Sequence, residues 1–289
     1  MKRLLILLRC SMASTGLGLG LACTAALWVA MGALGAALTG CASSSPSGNV
    51  SDAGRGEILT ESDEPELRRR ARIRLELAVG YFEQGQTTVA LDELKQSLAA
   101  DPNYAEAYNL RGLIYMRLGD ARIAEESFRR ALTLSPRNAD VLHNLGWFLC
   151  QQTRYDESQS VFQEALASPQ YGARAKSWRA LGLCQSRAGR AADAEASLLK
   201  SYEFDAGNPV TAYNLAELLT RRGEHLRAQF YLRRLNNSDL ANSESLWLGA
   251  KVERRLGNAD AVQQLGTQLV RRFAGSRETG LYQRGAWDE

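Results

Sequence analysis

The chain is poor in the residues from which catalytic and metal sites are usually built. It has 289 residues but only two histidines, His143 and His225. Neither has a Cys, His or carboxylate at metal-ligand spacing on its own stretch. No nucleophile motif, phosphate-cradling loop or paired-carboxylate pattern stands out. The Gly16-Gly18-Gly20 spacing lacks the strand–turn–helix setting that a nucleotide fingerprint requires. An enzyme is therefore not expected, and neither a cofactor nor a small-molecule substrate. Acidic residues are absent from the first forty positions, where Lys2, Arg3 and Arg9 account for the whole formal charge of +3. Without that segment, basic and acidic side chains balance at 32 each. A neutral chain lacks the net basic surface of a general nucleic-acid binder, so no nucleic-acid partner is expected.

The uncharged start has its own logic. Met1–Arg9 is short and basic, and Leu17–Leu38 is apolar and rich in Gly and Ala. Small residues and a break follow, which is the pattern of a secretory signal. The run is long enough to span a bilayer but is interrupted by Gly16, Gly18, Gly20, Gly32 and Gly35. Its ending, Leu38-Thr39-Gly40-Cys41, resembles the lipobox of bacterial lipoproteins. The resemblance implies cleavage after residue 40 and acylation of Cys41, a firm membrane anchor. Ala42, rather than Asp, follows the cysteine, which implies sorting to the outer membrane. Residues 41–65 are rich in Ser, Gly, Asp and Pro and read as a disordered tether. About 23 flexible residues reach about 25–30 Å.

What fills the rest is a repeat, clearest in Ala105–Pro136. Leu110, Leu113, Ile114 and Leu118 fall at helical spacing, Gly119-Asp120 breaks the run, and Ile123, Ala124, Phe128, Ala131 and Leu132 share a second face. Gly112 and Ala124 allow two helices to approach, with Phe128 between them. Small residues at positions 8 and 20, a large one at 24 and Pro136 at 32 resemble the tetratricopeptide repeat (TPR). One such hairpin cannot bury its apolar face alone, and copies surround it. Six are read at 71–104, 105–138, 139–174, 175–208, 209–241 and 242–276, with a tail at 277–289 that adds a short capping helix around Leu281-Tyr282. The expected fold is an all-α TPR solenoid, a right-handed superhelix of about six repeats. Thr153 and Ser158 replace the Gly and Ala of the pattern and weaken the third repeat.

Cys10 and Cys23 lie in the signal and Cys41 is assigned to the lipid, leaving Cys150 and Cys184. They occupy first helices of consecutive repeats, whose axes pack ~8–10 Å apart. An oxidising compartment permits a bridge between them; two separate buried thiols are the alternative. First helices line the concave groove of such solenoids. Leu75, Val79 and Phe82 from repeat one would face Leu113 and Met116 from repeat two, rimmed by Glu83, Asn109 and Arg117. An apolar strip with a polar rim is the pattern of a partner site; a covering N-terminal helix within Glu66–Arg74 or the tether would make it ordinary core. His143, Trp147 and Gln151 are placed on the groove in repeat three. Arg117, Arg187, Arg221 and Arg254 form a basic ladder along it, either a solvated face or a seat for acidic groups.

Beyond the generic repeat, Asn144-Leu145-Gly146-Trp147-Phe148-Leu149-Cys150-Gln151-Gln152 resembles a signature of the type IV pilus biogenesis and stability lipoproteins, the PilW/PilF family. So do Gly182-Leu183-Cys184, Ser243-Glu244-Ser245-Leu246-Trp247-Leu248-Gly249 and Arg271-Arg272-Phe273. The resemblance implies no enzyme activity. It implies a pilotin that helps the type IV pilus secretin reach the outer membrane and multimerise there, from an anchor on the periplasmic face. A TPR lipoprotein adaptor for peptidoglycan remodelling or outer-membrane protein assembly shares the lipobox and repeats, but not the Gly146–Gln152 stretch.

Overall fold

The structure is a computed structural model that describes residues 64–288. The signal segment, Cys41 and the tether up to residue 63 lie outside the described residues. Those described form thirteen α-helices and no strand. Six hairpins follow one another: α1 (Glu66–Glu83) with α2 (Thr87–Ala100), α3 (Ala105–Leu118) with α4 (Ala121–Leu134), α5 (Ala139–Gln151) with α6 (Tyr155–Ala167), α7 (Arg174–Arg187) with α8 (Ala191–Phe204), α9 (Pro209–Arg221) with α10 (His225–Asn236), and α11 (Ser243–Arg255) with α12 (Ala259–Arg272). A single short helix, α13 (Arg277–Arg284), closes the array. Each helix of a hairpin packs chiefly on its partner and next on an adjoining hairpin. The odd-numbered helices also touch one another, in the pairs α1–α3, α3–α5, α5–α7, α9–α11 and α11–α13. They form the crowded inner row of a two-layer TPR solenoid, and the groove lies on their open side.

The hairpins close where the sequence places small against large. A Cβ on Gly112 would come within 2.5 Å of the Phe128 ring, and one on Gly146 within 3.1 Å of Phe162. On Gly182 it would meet Leu198 Cγ at 2.7 Å. Phe128 and Phe162 are fully buried. Buried serines stitch the same joints: Ser97 Oγ donates to the Ala71 carbonyl at 2.7 Å and Ser201 Oγ to that of Ala175 at 3.0 Å. Helix starts are capped where the turns supply a polar side chain. Asn138, Asn208 and Asn242 accept from backbone N–H groups of the first turns of α5, α9 and α11, and Asp120 does so for α4.

Two details differ from the repeat read in sequence. Helix α1 begins at Glu66, ahead of the repeat boundary at Ala71, so Glu66–Arg74 is the front of α1 itself and not a separate covering helix. Arg68 fixes this extension by an ion pair to Asp101 at 2.7 Å and by lying 4.5 Å over the Tyr104 ring. Ser158, in place of alanine, also fits: its Oγ donates to the Gly146 carbonyl at 2.7 Å. Thr153 is the strained departure. The hairpin turns hold Gly85, Gly119, Gly189, Gly223 and Gly257 at positive φ, and Thr153 takes the same conformation at φ 59°. A β-branched residue there costs about 1–2 kcal/mol. Thr153→Gly is expected to stabilise the fold by about 0.5–1 kcal/mol, less than the strain because glycine also loosens the unfolded chain. Chemical denaturation of the two proteins checks it, and a less stable variant would contradict the strain argument.

Candidate functional site: the concave groove

At the N-terminal end, the structure divides the predicted strip. Leu75 is buried and belongs with Ala71 and Ala78 to the core between α1 and α2, so it is not part of an open surface. The helical turn explains the correction: Leu75 follows Ala71 and precedes Ala78 on the face that meets the partner helix. Val79 is exposed. Phe82 is half-buried, with the Arg117 guanidinium 3.7 Å from its ring centroid and Arg117 Nη1 donating to the Phe82 carbonyl at 2.8 Å. Leu113 and Met116 are half-buried against the Phe128–Phe148 cluster. Asn109 Oδ1 accepts from Asn144 Nδ2 at 3.0 Å, a rung between α3 and α5. Four apolar side chains of this region, Val79, Phe82, Leu113 and Met116, thus remain at least partly accessible, one of them under an arginine.

The basic ladder turns out to be used twice by the fold. Arg117 covers Phe82, and Arg187 lies 4.9 Å from the centroid of Trp147. In both cases an arginine of one inner helix lies on an aromatic ring of the preceding one, a cation–π staple between repeats. Arg221 is held by Glu217 at 2.7 Å.

His143 is the second correction. It is buried rather than open to the groove. Its Nδ1 is 2.7 Å from Ser177 Oγ, which is 2.9 Å from the Tyr171 hydroxyl, and its ring packs edge-on to Phe162. This network joins repeats three and four. Burial, with Lys176 and Arg179 nearby, pushes the histidine down to about 3. A depressed imidazole binds its proton more readily in the unfolded chain, so its stabilisation is present above pH 6.5 and lost as pH falls toward the folded value. The expected loss is about 2 kcal/mol between about pH 7 and about pH 5. Subtracting the pH profile of His143→Gln from that of the parent isolates it; parallel profiles would contradict the burial argument.

Cys150 and Cys184, on α5 and α7, are both buried and their sulfurs meet, with Cα atoms 5.8 Å apart. That separation suits a disulfide.

A concavity of about 1000 Å³ lies at the opposite end, where α9, α11 and α13 converge. Trp247 forms part of its wall and Trp287 stacks on it at 4.9 Å. Tyr213 is pushed up to about 12 by burial, with Glu217 and Glu244 adding to the shift. Sequence reasoning placed the site at the other end. The available signal was the face of α11 that reads Glu244, Trp247, Lys251 and Arg254 at helical spacing. Among the described residues no group of carboxylates, histidines or cysteines could hold a metal ion, and no helix is long and apolar enough to cross a membrane.

A two-layer array of successive helix hairpins defines a tetratricopeptide-repeat protein, a class built for protein–protein contact. Tetratricopeptide repeat profiles match residues 103–168 and 144–209, and a TPR repeat profile matches 80–119. The type IV pilus assembly protein PilF of Pseudomonas aeruginosa is 31% identical over 250 residues, 86% of this chain and 95% of PilF. The chain belongs to this family of type IV pilus biogenesis TPR proteins. The solved structure of Pseudomonas aeruginosa PilF superposes with a TM-score of 0.69 at 28% identity, covering 76% of this chain and 100% of that one. That of PilW, described as a widely conserved type IV pilus biogenesis factor, gives 0.66 at 31% identity over 73% of this chain and 96% of its own.

Proposed function

We propose that the protein is a pilotin: a scaffold held on the periplasmic face of the outer membrane by lipid on Cys41, which binds the type IV pilus secretin and promotes its localisation and multimerisation. The observation that carries this reading is the match along nearly the whole of PilF, a type IV pilus assembly protein. The lipobox at Leu38–Cys41 and the tether supply the anchor and the reach. The groove's N-terminal end, closest in sequence to the tether, supplies the contact. There Val79, Phe82, Leu113 and Met116 offer an apolar surface beside Asn109 and Arg117, suited to a segment of the secretin with apolar anchors.

The test is co-purification of the secretin from detergent extracts, together with secretin multimers in cells. Phe82→Ala with Met116→Ala is expected to weaken the complex about tenfold or more, as loss of anchor residues does. Val79→Glu, at an exposed position outside the core, separates binding from stability. Loss of the secretin from Val79→Glu with an unchanged thermal midpoint supports the docking site. A complex that survives all three substitutions would place the contact elsewhere, and an extract without secretin would remove the pilotin reading.

A further inference from the structure

The concavity at the C-terminal end is formed by one face of α11, the inner face of α9 and the end of the chain. Its wall is Trp247, and that side chain is 5% exposed while its indole N–H has no acceptor among the described residues. A buried unpaired donor is costly unless something supplies the acceptor. Around it stand Arg254 and Arg277, which have no ion pair among the described residues, and Arg255. The chain's own end shows what this wall accepts. Trp287 stacks on Trp247 with its ring tilted by 29°, Arg254 lies 4.6 Å over Trp287, and Arg255 reaches Asp288 at 3.5 Å. An aromatic ring followed by a carboxylate is therefore the chemistry already seated there. The two cover only one side of a space of about 1000 Å³.

We infer that this concavity is a second docking groove, which takes an extended acidic segment of a partner protein carrying an aromatic residue. The ring packs against the Trp247–Trp287 wall, its carboxylates meet Arg254 and Arg277, and a backbone or side-chain oxygen accepts from the Trp247 indole. Charge complementarity selects the occupant. Glu217 is already held by Arg221, Glu244 and Glu278 act on Tyr213, and Arg254, which lies over Trp287 of the tail, and Arg277 remain without a carboxylate among the described residues. This groove is independent of the N-terminal end, and its test can fail without affecting the pilotin reading.

The probe is a fluorescein-labelled peptide of sequence Glu-Asp-Trp-Glu-Asp-Glu, titrated against the full chain and followed by anisotropy. Its controls are the amide isostere Gln-Asn-Trp-Gln-Asn-Gln and a version with Ala for Trp. Saturable binding of the acidic peptide is expected, weakening as salt is raised and by about tenfold in Arg254→Glu. Trp247→Phe keeps the ring and removes the donor, and it is expected to weaken binding by about threefold to tenfold. Phe230→Ala, exposed on α10, should change nothing. Trp287→Ala removes part of the wall on which the ring packs and is expected to weaken binding; unchanged or stronger binding there would overturn that placement of the ring. No saturable binding to the parent overturns the inference. So does equal binding of the amide isostere, or binding unchanged in Arg254→Glu.

Discussion

Gly112→Leu is expected to destabilise the fold by about 3 kcal/mol, at the upper end of what overpacking costs. Already the first carbon of any side chain would lie 2.5 Å from Phe128 Cε1. The ring cannot step aside, because Phe128 is fully buried and packs on Phe148 with centroids 6.0 Å apart. Alanine substitutions give a sharper test, since alanine gains about 1 kcal/mol of helix propensity over glycine. At Gly80 nothing lies within 4 Å of an added Cβ, so Gly80→Ala keeps the whole gain and stabilises. At Gly146 the nearest atoms stand at 3.1 Å, tight but short of a clash, and the gain is largely cancelled. At Gly112 the clash dominates, and the variant is expected to lose about 1–2 kcal/mol. Thermal or urea unfolding of the three variants should give that order. Equal effects at Gly80 and Gly112 would break the assignment of Gly112 to the hairpin contact.

That ordering also shows how far the sequence was legible. Gly112 with Phe128, Gly146 with Phe162 and Gly182 with Leu198 recur at one spacing, and a recurring spacing reports a repeated contact that the folded chain then makes. Side chains whose role depends on what lies across the joint were harder to place. His143 occupies a groove position by count, yet Ser177 from the next hairpin and Tyr171 from the connection before it draw it into a buried network. Leu75 is apolar like Val79, and only the rotation of α1 separates core from surface. The arginine ladder was visible as a row of cations. That Arg117 and Arg187 lie on Phe82 and Trp147 depends on the lateral packing of neighbouring helices, which no single repeat encodes. The C-terminal concavity was missed because its wall needs Trp287, which lies beyond the last repeat and returns to Trp247 only when the chain end folds back.

Breaking the link between Cys150 and Cys184 is expected to have the other large effect. The two residues are 34 apart in sequence, and closing a loop of that size restricts the unfolded chain by about 3–4 kcal/mol in the chain-entropy treatment. The position adds to the consequence. The pair joins α5 to α7, first helices of consecutive repeats, on the inner row where the groove's spacing is set. Both cysteines are buried and Ser158 Oγ sits 3.3 Å from Cys184 Sγ, so a reductant reaches the sulfurs only when the joint opens. Reduction of the native protein should therefore be slow, and reduction during unfolding complete. Thermal unfolding in the presence of dithiothreitol is expected to give a midpoint well below that of the untreated protein. The double variant Cys150→Ala with Cys184→Ala should match the reduced parent closely and ignore the reductant. Mass spectrometry of the protein alkylated after denaturation, without reductant, decides the covalent state directly. Two alkylated thiols, or a midpoint that reductant leaves in place, would mean that the sulfurs only touch and that apolar packing alone joins repeats three and four.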